Sequence, residues 1–169
     1  MRRQVIDLVG VTIEGQKIIK QLRVAAYAVC IDDGKILLAR WVGPDGRRWT
    51  LPGGGIDHAE DPLDAAIREA EEETGYTIAI DDLLGIDTIR RRFSREAGGE
   101  ADFHGLRVIY AARVVGGALR HEVGGSTDLA AWVDLGRVAD LDRVELVDIA
   151  LDLHRVRPRD GRVPVRPGS

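Results

Sequence analysis

Glu69, Glu72 and Glu73 stand at i, i+3 and i+4, a spacing that on a helix gathers their carboxylates on one face. Left alone, that face is unfavourable: each like-charge pair at these offsets costs about 0.2–0.5 kcal/mol. The partial negative charge of a helix C-terminus adds about 0.3–1 kcal/mol per acidic group in the last turn. A divalent cation held among the carboxylates reverses the sign of both terms, and hard ions such as Mg²⁺ take oxygen ligands of this kind. The alternative is a solvated acidic face; the glycine turn Gly53-Gly54-Gly55 just ahead argues for the cation. Without metal, three close carboxylates raise one another's pKa values, which suits a group poised to accept a proton.

A helix has to carry these groups, and its ends are written locally. Asp61 is a good N-cap, Pro62 fits the first turn and Gly75 is a natural residue just past the end. The signals predict a helix over 62–74. Leu63, Ala66, Ile67 and Ala70 follow the i, i+3, i+4, i+7 pattern and mark its expected buried face.

Gly54, Glu60, Arg68, Glu69, Glu72, Glu73 and Gly75 fit G-x5-E-x7-R-E-U-x-E-E-x-G-U at every fixed position. Ala70 and Tyr76 fill the apolar U positions, one small and one carrying a hydroxyl. The stretch resembles the signature of the Nudix hydrolases, the MutT-like family. The resemblance implies an α/β/α sandwich with a mixed central sheet and the signature helix packed against it. It implies Mg²⁺-dependent hydrolysis, with Mn²⁺ a possible substitute. The bond cut is a diphosphate bond in a nucleoside triphosphate, or in a nucleoside diphosphate linked to a moiety X, and a nucleoside monophosphate is released. A catalytically silent nucleotide-binding sensor on the same fold is the alternative; such domains usually lose signature carboxylates, which this chain keeps.

By the same resemblance Glu69, Glu72 and Glu73 bind metal and the backbone carbonyl of Gly53 supplies a further ligand. Glu69 is also a candidate general base, with Glu96, Glu100 and Glu122 the alternatives in later segments. Arg68, one position from Glu69, is expected to point elsewhere and orient Glu60 or loop carbonyls. Arg40, Arg23 and Gly54 are the candidates for substrate contact, since Arg meets phosphate bidentately, with Arg90, Arg91 and Arg92 further ones; for each arginine the alternative is a solvated surface role. Tyr27, Trp41 and Trp49 either stack a nucleobase or belong to the core.

Around this unit, 169 residues suffice for one domain with a real core, placed over 1–157. A net charge of −4 gives no reason to expect bulk nucleic-acid binding; the nucleotide-type small molecule expected as partner is what the resemblance implies. No stretch has membrane-spanning length, and Met1-Arg2-Arg3 leads into Asp7 and Gly10 rather than an apolar signal core. A single cysteine, Cys30, excludes an intrachain disulfide, fits a reducing cytoplasm and reads as a buried, inert thiol.

Residues 1–20 are expected to form an edge strand or hairpin, with Gly15 near a turn, and could serve a homodimer. Strands are expected over 23–31, 35–41, 48–51, 77–80, 83–92, 104–115 and 130–135. The pair 77–80 and 83–92 is broken at Asp81-Asp82, and 94–102 forms a mobile loop. A second helix is expected over 143–157, and 158–169, rich in Pro, Gly and Arg, should be disordered.

Overall fold

The computed structural model describes residues 6–13, 16–95 and 98–163. The strands are β1 (Ile6–Ile13), β2 (Gln16–Asp32), β3 (Lys35–Gly43), β4 (Gly46–Thr50), β5 (Gly53–Gly55), β6 (Tyr76–Ser94), β7 (Glu100–Gly117) and β8 (Thr127–Asp134). Helix α1 is Pro62–Thr74, α2 is Glu145–Val156, and a 3₁₀ turn covers Leu135–Asp140.

β2 organises the sheet. Along one edge it pairs in parallel with β7, from Ile18 opposite Glu100 to Cys30 opposite Ala112. Along its other edge it meets β1, then β5, then β3, all antiparallel. β6 lies outside β7, while β4 and β8 pair with β3, so the sheet is mixed. The glycine turn is therefore part of the sheet: Gly53, Gly54 and Gly55 sit opposite Tyr27, Ala26 and Ala25. At Gly53 (φ +144°) a Cβ would collide with the Ala26 carbonyl oxygen, so only glycine fits there.

The helices cover opposite faces. Val29, Leu38, Leu51, Leu84 and Ile109 pack with Leu146, Val147, Ala150 and Leu153 of α2. On the other side Ala65, Ala66 and Ala70 of α1 approach Ala26, Ala28, Cys30 and Ile78. This is the expected α/β/α arrangement. Burial pushes the Cys30 thiol up to about 12, so it stays protonated and inert. Among the described residues no helix is long and apolar enough to cross a membrane.

Several expectations are corrected. Leu63 is exposed, and the buried arc of α1 is Ala65, Ala66, Ala70, Glu73 and Thr74, because small alanines let the helix approach an alanine-lined sheet. Asp81-Asp82 does not break the chain into two strands. β6 runs through it, and a register shift between Ile80 and Asp82 absorbs the irregularity. The segment expected as a mobile loop is strand at its two ends: Ser94 faces Glu100, and between them Arg95 N–H bonds the Gly99 carbonyl at 3.0 Å, while 96 and 97 lie outside the described residues.

Of the expected disordered tail, 158–163 docks on the sheet instead. Ile86 N–H donates to the Gly161 carbonyl at 3.3 Å, and Val163 packs on the α2-side core. A side chain at Gly85 would collide with the Gly161 carbonyl, so this glycine is what lets the two backbones touch. Residues 164–169 and Gly15, the expected N-terminal turn, lie outside the described residues; β1 and β2 do pair as a hairpin, with Ile13 opposite Gln16.

Candidate functional site

Helix α1 is held at both ends by its own sequence. Asp61 Oδ1 accepts from Leu63 N–H at 2.8 Å, and Gly75 turns into the left-handed region while its N–H bonds the Glu71 carbonyl. Arg120 N–H takes the Thr74 carbonyl at 2.9 Å. The C-terminal end of the helix is thereby tied to the segment that follows β7.

The signature glutamates occupy three different environments. Glu73 is 2% exposed, and its Oε2 accepts from Gly53 N–H at 3.0 Å. Burial drives its carboxyl well above the ordinary range; the Gly53 bond opposes this, and Glu69, Glu122 and Glu72 add to it. Glu69 lies against Gly54, where a Cβ would come 2.6 Å from the carboxyl carbon. Burial raises its pKa also, against Arg68, which pulls it down. Glu72 is far more open, with its side chain 42% exposed.

Arg68 ties the acidic face together. It donates to both Glu60 oxygens at 2.7 and 2.8 Å and to the Gly55 carbonyl at 3.2 Å, as expected of an orienting group. It does not point away from the glutamates, however. Its Nη1 reaches Glu69 at 3.0 Å and Glu72 at 3.4 Å, because the guanidinium fork can serve both sides at once. Glu60 is held below its usual pKa first by the Arg68 hydrogen bond, and it also accepts from Asp57 N–H at 2.9 Å.

The carboxylates therefore do not converge on one point: among the described residues no group of three or more His, Cys, Asp or Glu side chains is poised to hold a metal. Arg68 supplies the cation on one side, and the Gly53 amide draws Glu73 to the other. The chemistry of the donors nonetheless fits a hard divalent ion. Glu69 and Glu72 offer carboxylate oxygens side by side on Arg68 Nη1, and Glu73 is a buried carboxylate with no ion pair among the described residues. The missing Cβ of Gly54 keeps the space over Glu69 clear.

The remaining candidates separate. Glu122 accepts from Thr127 N–H at 2.9 Å and Oγ1 at 2.8 Å, and its charge acts on Glu73. Glu100 sits opposite Ile18 and Ser94 at the far end of the sheet, and Glu96 lies outside the described residues. Arg40, a candidate for phosphate, is occupied: it makes two bonds to Asp128, at 2.9 and 3.1 Å, and stacks over Trp49 at 5.9 Å. Arg90 and Arg92 share Asp102 at 3.6 and 4.0 Å, and Arg91 is exposed. Tyr27 and Trp49 pack on the α2-side core.

Arg23 is different. Its Nη2 and Nε lie 3.3 and 3.5 Å from where a Cβ of Gly55 would stand. Its charge reaches Glu69, yet its buried Nε has no hydrogen-bond partner. A buried donor left unpaired costs about 1–3 kcal/mol, more for a charged group. The buried Arg107–Asp87 pair on β7 and β6 has no counterpart in the sequence reading, since nothing local marks partners on different strands.

A family model described as the NUDIX domain matches residues 20–152. An RNA pyrophosphohydrolase of Acidiphilium cryptum is 53% identical over 55 residues, 31% of this chain and 32% of that protein. Another, from Halorhodospira halophila, is 37% identical over 92 residues, 48% of this chain and 50% of the relative. The chain thus spans about a third to a half of the length of these two relatives. An ADP-ribose pyrophosphatase of Methanocaldococcus jannaschii is 30% identical over 138 residues, 75% of this chain and 76% of the relative. Among solved structures, a NUDIX hydrolase from Nitrosomonas europaea superposes with TM-score 0.63 at 22% identity, over 87% of this chain and 99% of its own. A MutT NUDIX hydrolase from Burkholderia pseudomallei gives 0.57 at 28% identity, over 79% and 98%.

Proposed function

The chain belongs to the Nudix family, and on that premise we propose that it hydrolyses the diphosphate bond of a nucleoside diphosphate linked to a second moiety. Water attacks one phosphorus, the bridging P–O bond breaks, and a nucleoside monophosphate leaves with the phosphorylated second moiety. The relative aligned over three-quarters of the chain is named for ADP-ribose, which supports that substrate class. The relatives named for RNA align over half the chain or less, so a 5′-triphosphorylated RNA end is the second reading.

The observation that carries the proposal is Glu73, a buried carboxylate with no ion pair among the described residues, fixed to the β5 backbone by Gly53 N–H beside Glu69. A fold has no need of such a charge; a diphosphate hydrolase does. Mg²⁺ or Mn²⁺ held by Glu69, Glu72 and Glu73 would neutralise phosphate oxygens and acidify water. The chain's own groups do the rest. Arg68, locked on Glu60 and the Gly55 carbonyl, holds β5 and α1 in register. Glu69, whose pKa burial lifts, accepts the proton of the attacking water. Glu122 is the alternative acceptor.

The test is a product assay with Mg²⁺, with and without EDTA, on ADP-ribose, a dinucleoside polyphosphate, a sugar nucleotide, a nucleoside triphosphate and 5′-triphosphorylated RNA. Metal-dependent release of nucleoside monophosphate from ADP-ribose-type substrates is expected. Tight nucleotide binding with no turnover on any of them would replace the enzyme with a sensor.

A further inference from the structure

We propose that the face shared by β6 and the start of α1 docks a second copy of this chain, the two related by a two-fold axis near Ile86. Association of this kind is independent of the diphosphate reading.

A strand that alternated strictly from Leu83 to Ile86 would send these two side chains to opposite faces. A register shift between Leu83 and Gly85 prevents that. Leu83 stands opposite Tyr110 and Ile86 opposite Val108, and both partners pack beside Ala65 and Ala66 of α1. Leu84, inside the shift, turns to the α2-side core. The bulge thus aims two large apolar side chains at the α1 side of the sheet, where they stay 58% and 54% exposed. Leu63 of α1 is exposed as well. Its helix starts beside Tyr110, whose pKa is raised by burial and then by the charge of the N-cap Asp61. An apolar face gathered in this way marks contact with another protein.

Charge decides which protein. Beyond Ile86 the same side of β6 carries Arg90 and Arg92, which share the one carboxylate of Asp102 at 3.6 and 4.0 Å. Lys20 of β2 stands opposite Asp102, so this end of the face is positive on balance. The other end is acidic: Asp61 and Asp64, in the cap and first turn of α1, are both exposed. A face with an apolar middle and ends of opposite sign complements itself when turned about a two-fold axis. Asp64 of one protomer then meets Arg90 of its partner, and the reverse pair forms on the other side. The edge of β6 is not the contact, because the Ile86 N–H that a docking strand would use is bonded to the Gly161 carbonyl at 3.3 Å.

The experiment uses the full chain in sedimentation velocity over a concentration series, with circular dichroism to confirm that each variant is folded. Wild type should sediment at twice the 18.5 kDa mass of the chain. Leu83→Asp and Ile86→Asp, both at exposed side chains, should each raise the dimer dissociation constant at least about tenfold. Asp64→Arg and Arg90→Glu should each weaken the dimer alone, and the double variant should recover it. Wild type that stays monomeric at its highest soluble concentration overturns the proposal. A dimer that both aspartate variants leave intact does the same, since the contact then lies on another surface. So does a double variant no tighter than the single ones, since the two-fold pairing of charges is then absent. Each of these results leaves the hydrolase reading standing, because the product assay tests that reading by itself.

Discussion

The two helices of this protein are built to opposite specifications. α2 buries Leu146, Val147, Ala150 and Leu153, carries Glu145 and Asp148 in its first turn and ends with His154 and Arg155. The charges of Glu145, Asp148 and Arg155 agree with the helix dipole, while burial lowers the pKa of His154. α1 buries alanines, has no basic residue in its last turn and places Glu69, Glu72 and Glu73 in its C-terminal half, with Glu73 inside the protein. α2 is the helix that stability selects. α1 keeps its place through good caps and close alanine packing while carrying groups that oppose folding, and such tension between stability and composition marks the site of chemistry.

The largest expected effect tests that contrast at Glu73. Glu73→Gln keeps an oxygen to accept from Gly53 N–H but removes the buried charge. Steady-state turnover with Mg²⁺ should fall by at least about 100-fold, while the metal-free protein melts at the wild-type temperature or above it. A variant that loses stability and keeps activity would reverse the roles given to the two helices.

The mirror experiment is on α2. Leu153→Ala empties a position 1% exposed in the larger core and should cost about 2–5 kcal/mol in denaturant unfolding. At this chain length that is roughly 2–4 °C of melting temperature per kcal/mol. Turnover per folded molecule should not change; a specific loss of activity would mean that α2 reaches the site. Between these extremes lies Gly54→Ala, whose added methyl stands 2.6 Å from the Glu69 carboxyl carbon and must displace it. A shift of this kind should lower kcat on the order of tenfold, with little change in melting temperature, since Glu69 is the far end of a flexible side chain.

What could be read from the sequence follows the same division. The bounds of α1 were legible because Asp61, Pro62 and Gly75 act within a few residues of the atoms they serve. The carboxylate spacing was legible for the same reason. Leu63 misled because periodicity gives a face but not how deep the helix sits, and an alanine-lined sheet drew in Ala65 and Ala66 instead. Arg40 could not be judged, since the Asp128 that occupies it is 88 residues away. Asp81-Asp82 reads as a break in isolation, but pairing with β7 on both sides of it carries β6 through. Docking of 158–163 depends on Gly85, far away in sequence, having no side chain. Local capping and charge were visible; partners across the sheet were not.

The smallest effect concerns pH, and it separates the two faces without a mutation. In the metal-free protein Glu73 and Glu69 are raised above the ordinary carboxylate range, burial being the first cause for each. The proton on a buried carboxyl such as Glu73 favours the fold, so this contribution is fully present below the unfolded pKa of about 4.3 and is lost as pH rises through the raised value. Glu60 runs the other way: its pKa is lowered by Arg68, so its contribution is present above the unfolded value and lost as pH falls through the lowered one. Metal-free stability should therefore decline as pH rises above the ordinary carboxylate range, by at most about 1.4 kcal/mol per pH unit for each group still titrating. Chemical denaturation across that range, without metal and then with Mg²⁺, measures the slope. Glu73→Gln should flatten it, and Leu153→Ala should lower the whole curve without changing its slope. A wild-type curve that rises over the same interval would mean that Glu73 is ionised at no cost to the fold, and the difference drawn between α1 and α2 would go with it.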